Sequence, residues 1–125
     1  MTEMDEIVAE FVTESLEGLD ELDREFVALE QHPDDHDAIA SVFRTIHTVK
    51  GTAGFLGFDR LQALAHVGES LMSRVRDGEL LLDRAITDGL LSLVDALRAI
   101  VSAIEAAGTE PPGNDEMLLT LLEDL

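Results

Sequence analysis

The chain has no cysteine, no tryptophan and no tyrosine, and one lysine, Lys50, among its 125 residues. Without cysteine there is no disulfide framework and no thiolate metal centre. Strand signals are missing too, since strict apolar alternation is absent and apolar residues recur three and four apart. No apolar run approaches the roughly 18 residues that would suggest a membrane span. The opening "MTEMDEIVAE" lacks the basic and apolar regions of a secretory signal. Together these point to a cytoplasmic protein.

Basic charge is equally scarce. Seven arginines and the one lysine face 27 acidic side chains, a formal charge of −19. Such a chain repels phosphate backbones and anionic bilayers, which argues against nucleic acid and membrane surfaces as partners. An acidic, lysine-poor exterior stays hydrated in concentrated salt and points to a salt-loving source. With 46% apolar residues, the length suits a single core-forming domain.

What is present is helical periodicity. Val8, Phe11, Leu19, Leu22, Phe26 and Leu29 form one stripe, opened by the box-like Thr2-Glu3-Met4-Asp5 and stopped by Pro33, which predicts a helix over 4–31. A second stripe of Ile39, Val42, Phe43, Ile46, Val49 and Ala53 follows the cap candidates Asp34 and Asp35 and ends near Gly57. Asp59 and Gln62 then read as a capping box for a third helix, with Leu61, Leu64, Ala65, Gly68, Leu71, Met72 and Val75 as its stripe and Gly78 as its end. After Asp83 comes a fourth, carrying Ile86, Leu90, Leu93, Val94, Leu97, Ile100, Val101 and Ile104, closed by Gly108. The expected fold is all-α, an antiparallel up-down-up-down four-helix bundle spanning 1–108. Residues 109–125 would be a linker, "TEPPGN", and a short fifth amphipathic helix, "DEMLLTLLEDL", packed on or near the bundle. Met and Phe positions are expected in the core, and His32 and His36 in solvent.

Bundles host many functions, so chemistry must be sought in particular side chains. The stretch "FRTIHTVKGTAGFLGF" places His47 on the margin of the second stripe, where an imidazole can pack at its base and reach solvent at its tip. Gly51 and Gly54 leave bare backbone ahead of it, where another protein can dock. Lys50 is one turn away and supplies a positive charge where an anion would form. On the third helix "HVGE" sets His66 and Glu69 three apart. These groups suit nucleophilic attack by imidazole on phosphorus. Glu69 would accept from Nδ1, leaving the Nε2 lone pair free, while Lys50 offsets the phosphoryl oxygens. Gly51, Gly54 and Gly57 do not make a nucleotide loop, because no strand precedes them and no G-K-[ST] follows.

His47-Thr48-Val49-Lys50-Gly51 fits H-x-x-K-G, and with the following "GTAGFLGF" and "HVGE" it resembles histidine phosphotransfer domains, most closely those at the N-terminus of CheA-type chemotaxis kinases. The resemblance implies a phosphorylated His47, Lys50 beside the phosphoryl group, Glu69 bonded to the ring, His66 in the same polar network, and Gly51 and Gly54 where partners dock. It implies no cofactor bound by this domain. ATP with magnesium would be used by a separate kinase domain, and the acceptor would be an aspartate of a receiver-domain response regulator. The chain would then be a phospho-accepting domain and not a complete catalyst, either free-standing or, as a start at Met1 fits, the first piece of a longer kinase. Two other readings stand beside it. His47, His66 and Glu69 could form a zinc site, against which Lys50 argues, and the bundle could serve structure or interaction alone.

Overall fold

A computed structural model describes residues 2–125. Five helices follow in order, α1 (Glu3–Gln31), α2 (His36–Leu56), α3 (Asp59–Arg76), α4 (Arg84–Ala107) and α5 (Glu116–Glu123), with no strand among the described residues. Helices α1 to α4 form an antiparallel ring in chain order, α1 packing on α2 and α4, and α3 on α2 and α4. Short connections of this kind enforce antiparallel neighbours.

Local chemistry explains most helix ends. Thr2 Oγ1 accepts from the Asp5 amide while the Asp5 carboxylate accepts from the Thr2 amide, a reciprocal box at the start of α1. Asp35 accepts from the amides of Asp37 and Ala38, and Asp83 from that of Ile86. Gly57 and Gly108 close α2 and α4 with φ near +79° and +76°, in the left-handed region that favours glycine.

The start of α3 differs from expectation. Asp59 and Gln62 form no capping box; Phe58 is the cap residue and its side chain bonds nothing. The free amides of Arg60 and Leu61 instead donate to the Glu110 carboxylate, at 3.0 and 2.8 Å. Arg60 in turn grips Asp115 through Nε (2.6 Å) and Nη2 (2.9 Å). The 109–115 segment therefore runs as a strap over the N-terminus of α3, where a carboxylate is favoured by the unpaired amides. Beyond it, α5 lies against α3 and α4 and buries Leu122.

Every stripe residue named for α3 and α4 is buried, and Leu19, Leu22, Phe26, Leu29, Val42 and Ile46 meet them in one core. Gly68 lets α3 and α4 close up, because a β-carbon there would sit 2.2 Å from Leu93 Cδ2. Not every Met and Phe is interior, contrary to the sequence reading: Met4, Phe55 and Met117 are exposed, and Phe43 is half-buried.

Candidate functional site

The α2–α3 pair sets the site. Antiparallel packing brings position 47 of α2 opposite position 69 of α3. His47 Nδ1 lies 2.5 Å from Glu69 Oε2, and Lys50 Nζ donates to Glu69 Oε1 at 2.7 Å. An ionised carboxylate only accepts, so the ring proton resides on Nδ1 and the lone pair on Nε2. The His47 side chain is 61% exposed, whereas Glu69 is 16% and Lys50 23% exposed. The site is thus a solvent-facing imidazole on a mostly covered ionic base.

Burial pushes the Glu69 carboxyl up, but hydrogen bonds from Lys50 and His47, together with their charges, outweigh it and leave it below the usual carboxylate value. Glu69 is therefore a dependable anion at neutral pH.

Two further aromatic contacts complete the surroundings. Phe43, one turn before His47, lies nearly parallel to the imidazole, with ring centres 6.0 Å apart and planes 10° apart. The guanidinium of Arg76, at the end of α3, sits 4.2 Å from the centre of the Phe43 ring.

The structure divides the residues singled out in the sequence. It brings His47, Glu69 and Lys50 together. His66 does not join them: no hydrogen bond links it to the cluster among the described residues, and it lines a groove with Ser70, Arg74, Leu122 and Glu123 towards α5. Without it, a zinc reading lacks its third ligand, and Lys50 already occupies the second oxygen of Glu69. The two glycines also part. Gly51 has open space where a side chain would begin, but Gly54 is covered, since the Gln62 amide lies 2.5 Å from where its β-carbon would be. Lys50, expected beside the phosphoryl group, is engaged by Glu69 in this state.

Sequence reasoning missed Phe55, Phe43 and Arg76. Phe55 is 78% exposed. Its position eight residues after His47 was the available signal: with Gly51 between them, the three lie along one side of α2. His32 and His36 are exposed, as expected for the turn that carries them.

A four-helix bundle presenting one imidazole, oriented at Nδ1 by a carboxylate, defines the class of histidine-bearing helical modules. Within that class the comparisons with known proteins are specific. Residues 6–107 match the family model described as the Hpt domain. The chain belongs to the Hpt domain family. It is 32% identical over 116 residues to the sensor histidine kinase CheAY of Helicobacter pylori, covering 93% of this chain and 14% of that protein. It is 33% identical over 105 residues to the chemotaxis protein CheA of Halobacterium salinarum, covering 84% and 16%. The phosphorylated P1 domain of CheA3 from R. sphaeroides, solved in complex with CheY6, superposes with a TM-score of 0.89 at 30% identity, covering 96% of this chain and 94% of that one. The chain spans only about a seventh of the length of the CheAY and CheA relatives. No helix among the described residues is long and apolar enough to cross a membrane.

Proposed function

We propose that this domain is the phospho-accepting module of a chemotaxis-type two-component pathway. Nε2 of His47 takes the γ-phosphoryl group of ATP held by a kinase domain and passes it to an aspartate of a receiver-domain response regulator. In the first step the Nε2 lone pair forms the nitrogen–phosphorus bond as the bond from phosphorus to the bridging oxygen of ATP breaks, its electrons leaving with ADP. The ring becomes cationic with its proton still on Nδ1, facing the Glu69 carboxylate, which stabilises that charge. In the second step a carboxylate oxygen of the receiver attacks phosphorus. The nitrogen–phosphorus bond breaks, its electron pair returns to Nε2, and the proton stays on Nδ1.

The observation that carries this reading is the 2.5 Å contact between Nδ1 and Glu69 beneath an otherwise exposed ring. It leaves the other nitrogen both nucleophilic and reachable. Exposure suits a group that must visit two partners, because a closed pocket would bar a protein-borne donor and acceptor alike. The relatives support the direction: one structural neighbour is a phosphorylated P1 domain in complex with CheY6. Open Gly51 and exposed Phe55 offer the regulator a step of bare backbone and an aromatic anchor beside His47.

The test is to mix the domain with a chemotaxis-type kinase core and labelled ATP. Wild type gains acid-labile label, and His47→Gln gains none while keeping its helical circular-dichroism spectrum. Acid-labile label retained by His47→Gln would refute the reading.

A further inference from the structure

The Glu69 bond accounts for the direction of Nδ1 but not for the tilt of the ring or for the charge beside it. Phe43, one turn earlier on α2, and Arg76 over it lie next to the ring. Phe43 stacks on the imidazole on one side of the Glu69 contact, and Arg76 lies over Phe43, its guanidinium within about 10 Å of the imidazole centre given separations of 6.0 and 4.2 Å. Arg76 is itself held, Nε facing Asp77 Oδ1 at 3.2 Å and Nη2 facing Ser73 Oγ at 3.5 Å, with Nη1 unbonded among the described residues. Two residues on two helices, joined through an aromatic face, thus brace a group that solvent would otherwise leave mobile.

The distribution of charge makes the position of Arg76 informative. Helix α1 carries eleven acidic residues and one arginine, whereas α2 carries one aspartate against Arg44 and Lys50, and α3 two acids against three arginines. On a chain of −19, an anionic donor meets its least repulsive approach over the α2–α3 pair. On that approach Lys50 is neutralised by Glu69. Arg44 lies close enough to Glu25 of α1 to act on that carboxyl. Of the other α3 arginines, Arg60 is held by Asp115 and Arg74 lines the groove towards α5. Arg76 is left beside the imidazole and facing outward, 41% exposed, with surface Asp77 as its acidic partner among the described residues.

We propose that Phe43 and Arg76 are positioning residues for phosphoryl transfer at His47: Phe43 sets the plane of the imidazole, and Arg76 both seats Phe43 and supplies a positive field to the incoming phosphoryl group. This rests on the phospho-accepting role of His47 and names two further residues that serve it. The two contributions differ in their response to salt. A stacking contact is insensitive to it, whereas a field from an exposed guanidinium about 10 Å away is screened, the Debye length being about 8 Å at physiological ionic strength and about 3 Å at 1 M.

The experiment compares His47 labelling in wild type, Phe43→Leu, Phe43→Tyr, Arg76→Gln and Arg76→Lys, with labelled ATP plus the kinase core and, separately, with phosphoramidate, a small anionic donor that needs no protein partner. Phe43→Leu should slow labelling about 3- to 10-fold with both donors at every salt concentration, and should move the ring-proton NMR shifts of His47 as the aromatic current is lost; Phe43→Tyr should restore both. Arg76→Gln should slow labelling about 2- to 5-fold at low salt, with the gap narrowing near 1 M to the smaller part that comes from unseating Phe43, and Arg76→Lys should recover most of it. Wild-type rates in Phe43→Leu and Arg76→Gln, with wild-type His47 labelled normally, would overturn the proposal and leave the phospho-accepting role intact. A deficit in Arg76→Gln that is the same at low and high salt would overturn the field. Failure of wild type to label at all would strike the proposed function instead.

Discussion

Replacing Glu69 by alanine removes two contacts at once, the 2.5 Å bond to His47 Nδ1 and the 2.7 Å bond to Lys50 Nζ. A hydrogen bond to a charged group contributes about 1.5–3 kcal/mol. His47 is 61% exposed, so solvent screens part of that, and loss of Glu69 should raise the barrier to a transition state in which the ring turns cationic by about 1–2 kcal/mol. That corresponds to a rate loss of roughly 5- to 30-fold. Single-turnover labelling with kinase core and ATP reads it directly. Glu69→Gln divides the effect, since its amide oxygen can still accept from Nδ1 but carries no charge, so the rates should fall in the order wild type, Glu69→Gln, Glu69→Ala. Nitrogen NMR of the imidazole should show the proton on Nδ1 in wild type and a mixture of tautomers in Glu69→Ala. Stability follows the lowered Glu69 pKa. A depressed carboxyl contributes stability above the ordinary carboxylate range and loses it as pH falls through its folded value. The melting difference between wild type and Glu69→Ala should therefore be full at neutral pH and vanish in acid. Equal labelling rates in wild type and Glu69→Ala, or a Glu69→Gln slower than Glu69→Ala, would refute the assignment of tautomer and charge control to this residue.

Other consequences are equally measurable. Glu110→Ala frees the Arg60 and Leu61 amides at the start of α3 and should cost about 1 kcal/mol, read as a melting point lower by about 3 °C and faster proteolysis within 109–115; an unchanged melting point would show that the strap is not a cap. Glu25 has a carboxyl pushed up, chiefly by burial, which outweighs the relief from nearby Ser41, and its Oε1 is buried without a partner. Glu25→Gln should raise the neutral-pH melting point by about 1–2 °C, a gain that shrinks as the pH drops and wild-type Glu25 takes up its proton; a lower melting point at neutral pH would contradict this. Gly51→Leu, placed where no atom lies within 4 Å, should fold normally and label with phosphoramidate as wild type does, yet pass its phosphoryl group to a receiver about tenfold more slowly; an unchanged transfer rate would remove Gly51 from the docking surface.

Much of the molecule is legible in the sequence because its information is local. All seven stripe residues of α3 are buried, and Thr2 with Asp5, Asp35, Gly57 and Gly108 mark helix ends by rules that operate within a few residues. The contacts among His47, Glu69 and Lys50 are legible for a related reason: a tight hairpin forces antiparallel registration, so residues on facing margins must meet. What escapes is non-local. The true cap of α3 is Glu110, about fifty positions along the chain from the amides that it satisfies, and no pattern around Asp59 and Gln62 announces it. His66 lies in a groove beside α5 and not in the cluster, and the placement of α5 depends on where the strap docks. Residue type alone places Phe55 in the interior, yet it lies about 200° around α2 from buried Ala53, and angle decides over hydrophobicity.

The geometry also resolves an apparent contradiction in having a carboxylate beside the proposed phosphoryl acceptor. An unpaired Glu69 would favour the cationic ring but repel the anionic group that creates it, and the two effects would largely cancel. Lys50 on Oε1 breaks this symmetry: it neutralises the field of Glu69 towards solvent while leaving Oε2 bonded to Nδ1. The carboxylate then acts through a short hydrogen bond, whose effect falls off steeply with distance, and the lysine cancels its long-range repulsion. With Lys50 bonded to Glu69, the proposed transfer would draw on Lys50 through that carboxylate, and a positive field on the open side would come from another residue. Arg76, standing over Phe43, is placed to provide it.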